Sequence, residues 1–481
     1  MHNLRPLFIS IILLFGPASP LLAQDRPNIV LIMADDMNQY GFLGSDKQVK
    51  TPNLDAFREK AITFRQAYCP APACSPSRTA FLSGLSPHKT GKYYNGSKAW
   101  ETGIMKEQET MLEWFQRAGY ATYGYGKLFH SDISKDRVAK NFPKGTGKAG
   151  FGPFPDEEHR TFGSDSRFRG IQAFPDEDFP DVQNADAIID LLEQDQEKPF
   201  FLMYGLWRPH SPYTCPQRFL DMYDVNDIEI PPGYLKNDID DMPPIPKAYI
   251  ESKGQQGEFN EIVSSEQKWK EYLKGYFASY SFADYNIGRV LEALESSQFA
   301  KNTIIIVTSD NGFHMGEKDR FDKNSLWEQS AITPMVIYMP GAPQAGKVCA
   351  APVNLLDLYP TFVDFGANGI NPRNPIDGHS IRPLLEDLNT NWEHPSITYF
   401  GKNWVSIRSE KYRYITYPDG GEELYDHTRD PWELNNLAGL KKYRKVKSQL
   451  KKYVPDQMLE AIPGRWTKMI NGIVTGVTET E

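Results

Sequence analysis

The sequence predicts an α/β protein, a doubly wound mixed sheet flanked by helices with a smaller C-terminal α+β subdomain behind it. Three observations carry this. Continuous apolar runs of strand length alternate with helical periodicities, the pattern of parallel strands covered on both faces. At 481 residues, with 40% hydrophobic and 24% charged side chains, the chain can bury such a sheet. Roughly the last hundred residues then change to short alternating strands and a lysine-rich helix.

Taken in order, Arg5 precedes the apolar run Leu7 to Phe15, and Gly16, Pro17, Pro20 and Leu21-Leu22-Ala23 follow. This reads as a signal peptide over residues 1–23, cut near Ala23. The run falls short of the about 20 residues of a membrane span, and no cysteine follows it for a lipid anchor. The expectation is therefore export to the periplasm or beyond, with no membrane insertion. Asn28 to Ala34 is an apolar run of buried-strand type. Leu112 to Ala118 reads as helix, ended by Gly119, with a strand from Tyr120 to Tyr125. Val182, Ala185, Ile188, Ile189 and Leu192 mark a helical face before the strand Phe200 to Leu206. Trp269, Leu273, Phe277, Tyr280, Asp284, Ile287, Leu291 and Leu294 recur at helical steps and lead into the strand Thr303 to Thr308. A further strand, Met335 to Met339, stops at Pro340-Gly341.

Residues 135–180 and 225–265 are rich in Pro, Gly and charge without a clear period, and read as insertions. Gly145-Thr-Gly147-Lys-Ala-Gly150 matches G-x-G-x-x-G, but no buried strand precedes it and no helix opens after it. It is therefore read as a flexible loop and not as a dinucleotide site. Trp404–Ile407, Tyr412–Tyr417 and Glu423–Tyr425 read as strands, followed by a helix over Lys441–Lys452. The main domain is set at residues 24–380 and the C-terminal subdomain at 381–481.

Fifty-three Lys and Arg against 62 Asp and Glu give a net charge of −9, and no basic tract appears. That excludes a nucleic-acid platform and a polybasic membrane patch, although a local cleft can still be cationic. Four cysteines, Cys69, Cys74, Cys215 and Cys349, could pair in an exported chain, but a chain of this size needs no disulfide staple and connectivity is not readable from sequence alone. Cys69 and Cys74 do not have redox C-x-x-C spacing.

In open α/β sheets, ligands sit beyond the carboxyl ends of the strands. Asp35 and Asp36 follow the first strand, and Lys127 and His130 follow the Tyr120–Tyr125 strand. Trp207, Arg208 and His210 follow Phe200–Leu206, and Asp310, Asn311, His314 and Lys323 follow Thr303–Thr308. Singly each has a plain explanation: Asp35-Asp36 as a helix cap, Asp310-Asn311-Gly312 as a tight turn, the lysines as solvated charges. Together they place titratable groups on one edge of one sheet. Asp35, Asp36, Asp310 and Asn311 are hard oxygen donors, which select Ca²⁺ or Mg²⁺. Ca²⁺ is expected over Mg²⁺ because it gathers more ligands from separate loops.

Cys74-Ser75-Pro76-Ser77-Arg78, with Leu82 and Gly84 in register, resembles the signature of type I sulfatases, whose Cys-x-Pro-x-Arg marks a cysteine for oxidation to formylglycine. Thr51-Pro-Asn-Leu-Asp55, Thr308-Ser-Asp-Asn-Gly312, Asp377-Gly-His-Ser380 and Leu424-Tyr-Asp426 extend the resemblance over nearly the whole chain. Gly126-Lys-Leu-Phe-His130, Arg208-Pro-His210 and Pro231-Pro-Gly-Tyr234 are most similar to the iduronate 2-sulfatase branch. The resemblance implies an alkaline-phosphatase-like fold and hydrolysis of a sulfate monoester, on a glycosaminoglycan or algal polysaccharide. It implies a formylglycine made from Cys74 by a maturation enzyme, and one divalent metal held by Asp35, Asp36, residue 74, Asp310 and Asn311. Arg78, Lys127, His130, His210 and Lys323 would complete the catalytic set, with His210 protonating the leaving alcohol. Trp207, Arg208 and His314 would contact substrate, and Tyr213 would offer a ring to a sugar. Asn311 departs from the iduronate branch but keeps the metal assignment, and Arg208 stands where that branch has Lys and bears on recognition of a sugar carboxylate. His314 replaces a small residue of that branch, so the sugar need not be iduronate. A phosphoester or phosphonate hydrolase of the same superfamily, and a silent polysaccharide-binding protein, remain alternatives.

Overall fold

A computed structural model describes residues 26–41, 48–130, 133–160, 170–366 and 369–475. The expected signal peptide lies outside the described residues. Thirteen strands are present among them: β1 (Asn28–Asp35), β2 (Ile62–Tyr68), β3 (Ala121–Gly126), β4 (Ile171–Ala173), β5 (Phe200–Pro209), β6 (Tyr213–Cys215), β7 (Thr303–Ser309), β8 (Ile332–Tyr338), β9 (Val348–Asn354), β10 (Ser396–Gly401), β11 (Trp404–Arg408), β12 (Tyr412–Thr416) and β13 (Glu422–Asp426). Seven of them form the main sheet, in the order β3-β5-β1-β7-β8-β2-β9. β3, β5, β1 and β7 run parallel, β8 is antiparallel to both its neighbours, and β2 and β9 are parallel to each other. The sheet is thus mixed, with one strand reversed.

The alternation of side chains along β1 shows why both faces are covered. Val30, Ile32 and Ala34 enter one core with helix Pro180–Leu192 and the 31-residue helix Glu266–Ser296. Ile29, Leu31 and Met33 enter the other, with helices Cys74–Ser83, Met111–Arg117 and Leu358–Gly366. Each face of the strand is fully buried, so an uninterrupted apolar run is what the position demands.

The second sheet is antiparallel, in the order β10-β11-β12-β13. Its core takes in Ile239, Met242, Ile245, Tyr249 and Ile250 from the 225–265 segment, and Leu326 and Trp327 from the loop after β7. The 225–265 segment is therefore no free insertion: residues 239–250 join the C-terminal core, and Ile228, Phe259 and Ile262 join the core of the main sheet. Among the described residues, no helix is long and apolar enough to cross a membrane.

Candidate active site

Strand register brings the chemistry together. Ala34 pairs with Ser309 and Asp35 with Pro209, so Asp35, Asp36, His210 and Asp310 emerge at one edge. Gly126 pairs with Gly205, which sets Lys127 beside them. Asp36 has φ 61°, a left-handed turn that Asp tolerates better than most residues. Helix Cys74–Ser83 points its first residue into this cluster, and all ten of its residues are buried.

Cys74 Sγ donates to Asp35 Oδ1 at 3.1 Å, and Lys323 Nζ approaches the sulfur at 2.9 Å. Lys127 Nζ pairs with Asp35 and Lys323 Nζ with Asp36. Arg78 Nε donates to Asp310 Oδ2 at 2.7 Å, and its NH1 donates to the carbonyls of Lys127 and Leu128. Three buried carboxylates thus meet three buried cations. Burial alone would raise the Asp35 carboxyl, but Lys127, His210, Lys323 and Arg78 hold it well below the usual range. Burial wins at Asp310, whose carboxyl is raised despite Arg78. Burial, reinforced by Asp35, pushes the Cys74 thiol well above its ordinary value. As a plain thiol, Cys74 is therefore protonated and inert at neutral pH.

Ligand atoms of Asp35, Asp36, Cys74 and Asp310 lie within 4.8 Å of one another. Asn311 donates Nδ2 to Asp36 Oδ1 at 2.8 Å, while its Oδ1 is buried with no hydrogen-bond partner. An orphaned amide oxygen beside three carboxylates fits a hard divalent cation.

The cluster floors a cavity of about 510 Å³, whose lining includes Cys74, Lys127, His130, Trp207, His210 and Lys323. His210 Nδ1 lies 2.6 Å from the Ser211 carbonyl, which can only accept. Nδ1 therefore carries the proton of the neutral ring, and Nε2 faces Asp36 Oδ2 at 3.6 Å. Burial, then Lys127, lowers His130 to about 3, so it is neutral at physiological pH.

Not every residue expected at the cavity reaches it. Trp207 lines it, but Arg208, one step on along β5, faces the other side and is 1% exposed. Its Nε and NH2 donate to the Thr214 carbonyl and hydroxyl, at 2.9 and 2.6 Å. His314 is fully buried, with Nε2 2.8 Å from Ser325 Oγ. Tyr213 is closed in by Tyr272 and Tyr276. These three are packed within the fold and are not among the residues that line the cavity.

Sequence reasoning missed Asn95, Thr146 and Phe151 in the cavity wall. Phe151 stands 4.7 Å from the rings of both Trp207 and His210. The glycine-rich stretch before it is anchored: Gly126 N–H donates to the Thr146 carbonyl at 2.9 Å, and Lys148 N–H to Asn184 Oδ1 at 2.7 Å. A glycine-rich stretch ending in an aromatic residue was the signal available.

A cavity lined by Lys127, His210 and Lys323 at the carboxyl edge of this mixed sheet suits an anionic ester, and solved structures similar to the chain share the alkaline-phosphatase-like fold. The chain belongs to the sulfatase family, whose model matches residues 27–366, and is a sulfuric ester hydrolase. The C-terminal model of N-sulphoglucosamine sulphohydrolase matches residues 316–460. The chain is 35% identical over 449 residues to a sulfatase of Formosa agariphila, covering 90% of this chain and 87% of that one. It is 28% identical over 410 residues to iduronate 2-sulfatase of Mus musculus, covering 76% and 73%. Among solved structures it is similar to a 2-O GAG sulfatase, with TM-score 0.69, 22% identity, and coverage of 89% of this chain and 91% of that one. A phosphonate monoester hydrolase from Silicibacter pomeroyi shares the fold, with TM-score 0.72, 20% identity, and coverage of 89% and 94%.

Proposed function

We propose that the protein is an exported sulfatase that hydrolyses a sulfate monoester on a carbohydrate, with residue 74 as formylglycine and one Ca²⁺. The observation that carries this is the placement of Cys74 between Asp35, Asp36 and Lys323 at the floor of the cavity. The raised thiol leaves cysteine itself a poor nucleophile there, whereas a hydrated aldehyde offers an attacking oxygen and a second hydroxyl for release. Asp35, Asp36, Asp310 and Asn311 would hold the cation, which supplies Lewis acidity toward a sulfate oxygen.

The chain's own residues do the rest. Lys127 and Lys323 present two ammonium groups to the sulfuryl oxygens and offset charge that develops there. Arg78 ties the helix carrying residue 74 to Asp310 and to the backbone behind Lys127, so nucleophile and clamp keep one geometry. As an imidazolium, a form that Asp36 opposite Nε2 favours, His210 would deliver the Nε2 proton to the departing alcohol and keep its Nδ1 proton on the Ser211 carbonyl. Trp207 and Phe151 offer ring faces to a sugar. The relation to iduronate 2-sulfatase supports a sulfated sugar as substrate.

Two measurements test this together. Peptide mass spectrometry of the exported protein should show the loss that converts CH₂–SH to CHO at residue 74. Sulfate release should then follow on a panel of sulfated oligosaccharides, with phosphate and phosphonate esters run alongside. Modified protein that cleaves only the phosphorus esters sinks the reading. An unmodified thiol in protein co-expressed with a maturation enzyme, together with glycan binding, would favour a silent polysaccharide-binding protein.

A further inference from the structure

The loop between β7 and β8 carries Asp310, Asn311 and Lys323, and it is built under backbone strain. Lys318, Asp319 and Asn324 sit at φ 55°, 53° and 63°. Non-glycine residues hold such angles only where the surroundings over-determine them. Among those surroundings, one residue of the C-terminal subdomain contacts the loop on both sides of Lys323. Glu433 is itself at φ 60° and 1% exposed. Its Oε2 accepts the Glu328 N–H at 2.8 Å, and its main-chain carbonyl accepts Lys318 Nζ. The two contacts fall five residues before Lys323 and five after it.

Glu433 is braced in turn. Its Oε1 takes Arg413 Nε at 2.6 Å and lies 2.8 Å from His427 Nε2. Arg413 also donates to the Leu326 carbonyl at 3.2 Å and to Glu328 Oε2. Lys318 pairs with Asp238 Oδ2 at 2.9 Å, from the segment that joins the second core. Glu328, His427 and Glu433 approach metal-site spacing, but the Arg413 guanidinium already bonds both carboxylates. The cluster is an ion network and not a cation site. Of the residues in the 312–331 loop, Lys323 alone is among those lining the cavity.

We propose that Glu433 is a positioning residue for sulfate-ester hydrolysis: by gripping Lys318 and Glu328 it holds the strained loop so that Lys323 Nζ stays between Asp36 and residue 74. This rests on the sulfatase reading. It makes the C-terminal subdomain part of the catalytic apparatus, through a residue that never meets substrate.

A merely structural Glu433 would reduce folded protein by the same factor in any background. A positioning residue acts only while Lys323 is present, and a double-mutant cycle separates the two. Sulfate release is measured per mole of folded, formylglycine-bearing protein for wild type, Glu433→Gln, Lys323→Ala and the double variant. Glu433→Gln is expected to lower kcat by about tenfold or more, with KM within about twofold. The double variant is expected to be no slower than Lys323→Ala. Two factors that simply multiply, or an unchanged kcat, overturn the proposal. Should Glu433→Gln not fold, Lys318→Met cuts the other contact and runs the same cycle with the same outcomes.

Hydrogen exchange gives a reading free of turnover. Glu433→Gln should speed exchange across residues 312–331 and leave the helix at 74–83 unchanged; unaltered exchange in the loop overturns the grip. A wild-type protein that releases no sulfate removes the sulfatase reading and the catalytic role with it, while exchange still decides whether Glu433 holds the loop.

Discussion

At the scale of single residues, Cys74 sets the clearest expectation. Its thiol, raised by burial and by Asp35, has no route to thiolate chemistry at neutral pH. A serine there has neither the thiol nor the aldehyde, so Cys74→Ser should abolish sulfate release while the melting profile stays near wild type. A Ser variant that turns over normally would remove the nucleophile assignment. Glu317 makes a second expectation, about pH. It is 2% exposed, its Oε1 has no hydrogen-bond partner, and burial pushes it up to about 7 despite a bond from the Met315 N–H. A carboxyl raised in the fold contributes stability that is full below its unfolded value of 4.5 and is lost as pH climbs to about 7. Glu317→Gln should therefore raise the thermal midpoint at pH 8, by an effect on the order of 1–3 kcal/mol, and change little at pH 4.5. Equal pH dependence in both proteins would refute it. The polar residues at strand ends were legible in the sequence because the topology rule places them. Arg208 lies away from the cavity because β5 runs on past Leu206 to Pro209, so alternation turns residue 208 away from the face of Trp207. Nothing local in the sequence says that His314 folds back onto Ser325.

At the scale of elements, the close approach of β5 to the chain carrying Lys127 sets the geometry of the clamp. Lys127 N–H donates to the Gly205 carbonyl at 2.7 Å, and a Cβ on Gly205 would meet the Lys127 carbonyl oxygen at 1.7 Å. Backbone against backbone has no cheap relaxation. Gly205→Ala should cost at least about 3 kcal/mol in urea unfolding, and should lose sulfate release even where it folds. A variant with wild-type stability would show that the strand can shift. Among the strands read from sequence, β1, β5 and β7 are nearly unbroken apolar runs, while β11, β12 and β13 were legible as short alternating segments. β2 was missed because Arg65 and Gln66 interrupt it where the sheet opens toward solvent. β9 is an edge strand with Val348 and Ala350 exposed and Pro352 inside it, a combination that reads as loop.

At the scale of the whole molecule, the site joins loops from β1 and β7 around a donor set that fits a hard cation. Ca²⁺ bound only by the folded state should raise the thermal midpoint, by about 2.7 kcal/mol of added stability at a hundredfold excess over Kd. Asp310→Asn should lose most of that shift, and chelation should abolish sulfate release until Ca²⁺ is restored. A midpoint indifferent to Ca²⁺ would remove the cation from the site. The two-sheet plan was readable from the change of pattern late in the chain. The role of residues 238–250 in the second core was not, because the sheet residues they pack with, from Tyr399 onward, lie more than a hundred residues further on. One feature of the fold also bears on how the protein is made. The helix Cys74–Ser83 shows no exposed residue, and Cys74 itself is 2% exposed. A modifying protein that must grasp the peptide around residue 74 finds nothing to hold once the chain has folded. If residue 74 becomes formylglycine as proposed, its oxidation must therefore outrun folding. Finished but unmodified protein should stay unconverted when incubated with the same modifying protein, however long the exposure.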